Sequence, residues 1–127
     1  MGSTKYIFAN TGQLVRLVIQ TLDIDGYRID GYIPVVQNII FPDFSVAVGY
    51  PRHMTQVYIT GDGYVPGVDG DGYVSGLYIH GLLIPTGITA LGTYVANVYW
   101  ENNGQPQWDS FAINVARPFG NSSVSPI

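Results

Sequence analysis

The chain has 127 residues, only 11% of them charged, with no cysteine and a formal net charge of −4. This length suits a single domain, and the absence of cysteine excludes disulfide bonds. Because phosphate binding needs clustered lysine and arginine, the acidic balance argues against nucleic acid as a partner. Gly (16) and Tyr (10) are abundant, and helix-forming residues are scarce, so the composition favours β-structure.

The first segment, residues 1–12, is polar and small, and we predict an N-terminal arm. It has no apolar core of the kind that signal peptides contain. No stretch of the chain is long and apolar enough to suggest a membrane span. We therefore expect synthesis in the cytoplasm and no membrane partner.

Strand patterns begin at Leu14–Leu22, where Val15, Leu17 and Ile19 alternate with outward residues. A second apolar run at 35–41 ends at Pro42, which lacks the N–H that a sheet ladder needs. Between them, residues 23–32 contain two Asp-Gly pairs and are predicted to form a loop or small hairpin.

Two further strands, Val57–Thr60 and Ser75–Ile84, flank the most glycine-dense segment, residues 61–73. We predict that this segment is a projecting loop inserted between core strands. In the second strand, Leu77 and Ile79 share one face and Tyr78 and His80 the other. His80 is expected at the surface or in a cross-strand position.

Aspartates in the glycine-rich loop raise the question of calcium. Asp69-x-Asp71-Gly72 resembles the start of a calcium loop, but position 12 is His80 and not the closing glutamate of an EF-hand. We predict no metal site. The alternative is an irregular calcium site formed by Asp62, Asp69 and Asp71.

The tripeptide Asp-Gly-Tyr occurs four times, at 25–27, 30–32, 62–64 and 71–73. The spacing is irregular, so the motif is not a structural repeat. We interpret it as one turn chemistry: Asp starts the turn, Gly takes a positive φ, and Tyr anchors the chain on the sheet.

The clearest strand is residues 90–101, ALGTYVANVYWE. Its entry resembles the sixth strand of an immunoglobulin-like sandwich, in which a tyrosine hydroxyl ties down the preceding corner loop. Tyr94 is the predicted corner tyrosine, and Ala96 takes the place of the core cysteine of antibody domains. Trp100 shares the face of Tyr94 and is predicted to lie in the core.

A turn at 102–104 leads to a return strand, Gln107–Ala116, with Phe111, Ile113 and Val115 inward. The chain then holds about seven short strands and no helix pattern. This predicts an antiparallel β-sandwich of immunoglobulin type over 13–117, followed by an extended tail, 118–127. A small β-barrel is the alternative.

Catalytic chemistry is not apparent in the sequence. His53 and His80 lie on different predicted elements, and no acid, base and nucleophile are placed together. We predict that the chain is not an enzyme and needs no cofactor.

Aromatic side chains suggest carbohydrate binding as another function. Exposed tryptophan and tyrosine rings present flat apolar faces on which sugars stack. Trp108, beside the predicted turn, is the main candidate, together with Tyr64 and Tyr73 in and beside the loop. We also include Tyr99 in this candidate sugar-stacking surface.

The C-terminal half, GLYIHGLLIPTGITALGTYVANVYWENN and WDSFAINVARPFGNSSVSP, resembles small immunoglobulin-like virion proteins of tailed bacteriophages. The resemblance is carried by Gly76-Leu77-Tyr78, Ile84-Pro85-x-Gly87, Leu91-Gly92-Thr93-Tyr94 and Pro118-Phe119-Gly120. With 35–42, these motifs cover somewhat over half of the chain.

This resemblance implies a structural protein of the virion, such as a capsid decoration (cement) protein or a head or tail accessory protein. Many copies would bind through their terminal segments and sheet edges. The expected partners are major capsid or tail proteins and further copies of the chain. The alternative is a carbohydrate-binding or adhesin module on a virion or cell surface that contacts host glycans.

Overall fold

The computed structural model describes residues 3–59, 72–102 and 104–116. Within them, no helix is long and apolar enough to cross a membrane. One 3₁₀ turn, Ile88–Ala90, precedes the seventh of eight strands. The strands are β1 (Ser3–Asn10), β2 (Leu14–Gln20), β3 (Val35–Ile40), β4 (Arg52–His53), β5 (Thr55–Tyr58), β6 (Tyr73–Leu83), β7 (Gly92–Asn102) and β8 (Gln105–Ala116).

The strands form two sheets that pack face to face. The larger sheet has the order β1-β8-β7-β3-β4, and the smaller has the order β2-β6-β5. As in an immunoglobulin-like sandwich, β3, β7 and β8 share one sheet, whereas β2 and β6 pair in the other. This confirms the sandwich over the small barrel, with eight strands among the described residues where about seven were expected. One pair, β1 with β8, is parallel, and the other pairs are antiparallel.

The N-terminal segment differs from the prediction. Most of the predicted arm is the edge strand β1, whose residues from Ser3 to Asn10 pair with Asp109 to Ala116. Lys5 Nζ lies 2.6 Å from the carboxylate of Asp109, a residue that is only 5% exposed. The arm prediction missed this strand because residues 3–10 have no apolar alternation of their own: Tyr6 and Phe8 point outward and are strongly exposed.

The core lies between the sheets and is formed by alternate residues of the long strands. Val15, Leu17 and Ile19 of β2 are buried as predicted, and so are Phe111, Ile113 and Val115 of β8. On β7 the buried residues are Tyr94, Ala96, Val98 and Trp100. Burying these apolar faces is the main favourable contribution to folding.

The corner before β7 has the hydrogen bond that the immunoglobulin-like entry predicts. Tyr94 Oη donates to the carbonyl oxygen of Ala90 at 3.0 Å, and both residues are 2% exposed. Gly92 follows a tight path at φ 125°, where a Cβ would lie 2.8 Å from Pro42. The loop 84–91 is therefore held against β7 and against the end of β3.

The face assignment of β6 needs a correction at His80. Tyr78 and His80 point into the core, and His80 is only 8% exposed, so the predicted surface position is wrong. Its cross-strand partner is Leu17. Tyr50 Oη lies 2.7 Å from His80 Nε2, which explains how a polar ring is accommodated there. Burial and the nearby Arg52 lower the pKa of His80 below its ordinary value of 6.5.

The Asp-Gly-Tyr interpretation holds only in part. Gly26 and Gly72 have positive φ, whereas Gly31 does not. Tyr32 packs edge-on against Tyr99 of the sheet, but Tyr27 is 73% exposed and does not anchor the chain. The motif at 62–64, residues 61–71 of the predicted loop 61–73, and the predicted tail 118–127 lie outside the described residues.

Candidate binding site

A row of three aromatic rings crosses the outer face of the larger sheet. Trp108 of β8 lies directly opposite Tyr99 of β7, with ring centroids 4.9 Å apart and a tilt of 55°. Tyr32, from the loop between β2 and β3, meets Tyr99 edge-on at 5.6 Å. Trp108 is half exposed and Tyr32 is 38% exposed, so the row offers apolar ring surface to a ligand.

The central ring of this row is tied to a carboxylate. Tyr99 Oη donates to Glu101 Oε2 at 2.8 Å, because residues two apart on a strand share a face. This hydrogen bond is the largest of the effects that raise the pKa of Tyr99 above its ordinary value. The same hydrogen bond keeps Glu101 beside the row.

Beside the aromatic row runs a ladder of polar side chains. Ser110 Oγ donates to Asn97 Oδ1 at 2.7 Å, and Asn97 Nδ2 donates to Asn38 Oδ1 at 2.8 Å. The three residues lie on β8, β7 and β3. The ladder fixes the side chains of this face and places amide and hydroxyl groups next to the rings.

A cleft of about 410 Å³ lies where the aromatic row meets the end of the sandwich. Its walls are the loop 21–32 and the β7–β8 hairpin. The residues that matter for its chemistry are Thr21, Asp23, Asp30, Tyr32, Glu101 and Asn102. Tyr32 belongs to both the cleft and the aromatic row, and Glu101 of the cleft accepts from Tyr99 of the row, so the two features are connected.

Hydrogen bonds hold the walls of the cleft in place. The backbone N–H of Leu22 donates to Asn102 Oδ1 at 3.1 Å, which joins the loop to the hairpin. Asp23 Oδ1 accepts from the N–H groups of Asp25 and Tyr27. Asp30 Oδ1 accepts from Gln56 Nε2 and from the N–H of Gly76. A site whose walls are already fixed loses less entropy when it binds a ligand.

Gly76 makes this arrangement possible. Its φ is 67°, and a Cβ there would lie 2.6 Å from the carbonyl oxygen of Thr21 and 2.8 Å from the N–H nitrogen of Ile29. The loop 21–32 can lie this close to β6 only because residue 76 has no side chain.

The predicted sugar-stacking residues are not all brought together. Trp108 is in the row, together with Tyr99. Tyr73 lies on β6 of the other sheet, where its ring meets Tyr58 at 5.0 Å. Tyr64, and the calcium candidates Asp62, Asp69 and Asp71, lie outside the described residues. Tyr32 was not among the predicted site residues, although its Asp-Gly-Tyr motif could have drawn attention to it.

Within residues 3–59, 72–102 and 104–116, no three His, Asp or Glu side chains converge in a way that could hold a metal ion. His53 lies on the short strand β4 and is exposed, whereas His80 is buried beside Tyr50. The structure therefore places the two histidines in different environments.

The opposite end of the sandwich carries large exposed apolar side chains. We call it the corner end, formed by the loops 10–13, 41–50 and 84–91. Phe44, Val46, Val48 and Ile88 are 59–92% exposed there. A cleft of about 190 Å³ separates the loops, lined by Pro42, Pro85 and Thr89 among others. Ala116, the last residue of β8, pairs with Asn10 at the same end.

Comparisons with protein-family models, with curated proteins and with solved structures found no match for this chain. Fold and geometry are therefore the grounds for assigning a function.

Proposed function

We propose that the chain is a non-enzymatic structural protein of a virion, such as a capsid decoration protein or a head or tail accessory protein. It binds capsid or tail proteins and further copies of itself. The motifs Gly76-Leu77-Tyr78 and Leu91-Gly92-Thr93-Tyr94, which resemble those of phage virion proteins, suggest this class.

The observation that carries the proposal is the exposed apolar surface of the corner end. Phe44 is 87% exposed and Val48 92% exposed, in a chain of which only 11% of residues are charged. Phe44, Val46 and Val48 fall within five residues of one loop, and a concentration of exposed apolar side chains marks a surface that a partner covers. We therefore place attachment at the corner end, and not on a free N-terminal arm.

The proposal also concerns the C-terminal segment. Ala116, the last residue of β8, pairs with Asn10 at the corner end, and we propose a second contact through the segment 118–127. This segment contacts the capsid or a neighbouring copy and adds avidity.

The test is the composition of phage particles. Particles purified by density gradient from the phage that encodes the chain should contain it in a fixed number of copies, measured by quantitative mass spectrometry. Absence from purified particles would refute the virion proposal.

A pair of matched variants locates the attachment surface. Phe44→Ser with Val48→Ser should lower the copy number per particle at least about tenfold, because apolar area at the contact is lost. Ile24→Ser with Tyr27→Ser changes two similarly exposed residues at the other end and should leave the copy number unchanged. The reverse result would move the attachment surface to the other end.

A second candidate function is carbohydrate binding. It is favoured by the aromatic row of Tyr32, Tyr99 and Trp108, since adjacent half-exposed rings flanked by amides and a carboxylate suit the stacking and hydroxyl recognition of sugars. Both functions fit one molecule, because the row and the corner end lie at opposite ends of the sandwich.

A further inference from the structure

We propose that the cleft and the aromatic row select uncharged sugars and reject sialylated or sulfated ones. This inference rests on the second candidate function, carbohydrate binding, and names the ligand class for it. The ligand is a neutral glycan with one sugar ring over Trp108 and the next hydroxyl-bearing ring at the mouth of the cleft.

The stacking half of the site is the exposed ring of Trp108. Tyr99 supports it from the neighbouring strand at 4.9 Å, and Tyr32 supports Tyr99 in turn at 5.6 Å. The neighbouring rings restrict the Trp108 side chain before a ligand binds. Binding therefore costs little additional side-chain entropy. A sugar ring stacks here through its apolar C–H face.

The polar half of the site is Glu101. One of its carboxylate oxygens accepts from Tyr99, and among the described residues no hydrogen bond engages the other oxygen. Glu101 lines the cleft, so its second oxygen can accept a hydrogen bond from a sugar hydroxyl bound there. Hydrogen bonds to a charged acceptor are stronger than those to a neutral one.

The charge of the cleft sets the selectivity. Asp23, Asp30 and Glu101 all line it. Arg28 belongs to the same loop, where its backbone bridges to Leu22, but its side chain is not among those that line the cleft. A ligand carboxylate or sulfate would thus meet three like charges and no lining cation, whereas hydroxyl groups can donate to the same carboxylates.

The experiment compares matched glycans on the whole chain. A glycan array carrying neutral glycans and their sialylated counterparts is probed with the wild-type protein. We expect binding to neutral members and about fivefold weaker binding to the sialylated partner, the size of effect that like charges produce near a protein surface. Equal or stronger binding to the sialylated forms would overturn the inference.

Three variants identify the residues responsible. Trp108→Ala should abolish array binding. Glu101→Gln keeps the shape and an acceptor for Tyr99 but removes the charge, and it should reduce the discrimination from about fivefold to about twofold. Tyr27→Ala, an exposed aromatic of the same loop outside the cleft, is the matched control and should bind like wild type. Melting temperatures confirm that each variant is folded.

The outcomes distinguish a failure of the charge selectivity from a failure of carbohydrate binding itself. Binding without discrimination, or discrimination unchanged in Glu101→Gln, overturns the selectivity alone. No binding to any glycan overturns carbohydrate binding together with its selectivity. Neither result affects the virion proposal, which particle composition tests independently.

Discussion

The two faces of the larger sheet are made by the same strands and have opposite characters. On β7, Tyr94, Ala96, Val98 and Trp100 point inward and are at most 6% exposed. The intervening residues Asn97, Tyr99 and Glu101 point outward and make side-chain hydrogen bonds with one another or with neighbouring strands. The inner face holds the domain together, whereas the outer face is free to carry specificity.

The two tryptophans show what this difference means. Trp100 on β7 is 6% exposed and Trp108 on β8 is 50% exposed. They lie on adjacent strands, within one residue of each other in register. One tryptophan therefore contributes to folding and the other is available for contact, and substitutions can separate these roles.

The largest expected effect is on the inner face. Trp100→Ala should lower the free energy of unfolding by about 4 kcal/mol, because it leaves a large cavity in the core. Trp108→Ala on the outer face should cost less than about 1 kcal/mol. Urea denaturation of both variants measures the two values, and similar losses would contradict the division between the faces.

The next effect concerns the close approach of the loop 21–32 to β6. Gly76→Ala should destabilise the protein by at least about 2 kcal/mol, since it adds a Cβ at a positive φ and within 2.6 Å of the Thr21 oxygen. Gly31→Ala is the matched control, because a Cβ there meets nothing within 4 Å. Thermal denaturation distinguishes the two, and a neutral Gly76→Ala would show that the loop does not need this contact.

A smaller effect is expected at the corner. Tyr94→Phe removes the donor to the buried carbonyl of Ala90 and should cost about 1–2 kcal/mol. Tyr6→Phe removes the hydroxyl of a tyrosine that is 69% exposed, and it should change stability by less than about 0.5 kcal/mol. Equal effects in chemical denaturation would argue against a stabilising corner.

The mildest expected effect is a pH dependence through His80. Its pKa is lowered in the folded protein, first by burial and then by Arg52, so the unfolded chain takes up the proton at a higher pH than the folded one. The contribution of His80 to the free energy of unfolding is therefore fully present above the unfolded-state pKa of about 6.5. It is lost as the pH falls toward the folded-state pKa. His80→Gln should flatten the change in melting temperature between about pH 7 and pH 5, where few carboxylates titrate. An unchanged slope would assign the pH dependence to other groups.

Local patterns predicted much of the fold. Alternation placed β2, β7 and β8 and their inward residues, because a period of two gives a strand one buried face. Pro42 follows the end of β3, and the corner motif predicted that the Tyr94 hydroxyl ties down the preceding loop, which it does at the carbonyl of Ala90. All of these features depend on residues close together in the chain, which is why sequence could specify them.

Other features depended on contacts between distant segments. Residues 3–10 form a strand because they pair with the edge of β8. Lys5 also binds Asp109, which is 104 positions away in the chain. His80 is buried because Tyr50 from another loop satisfies its ring. Tyr32 reaches Tyr99 and Trp108 only once the loop 21–32 is fixed beside Gly76. The sequence by itself determined which residues alternate and where turns fall, and the tertiary structure decided which of them meet, because side-chain contacts between remote segments leave no periodic signal in the chain.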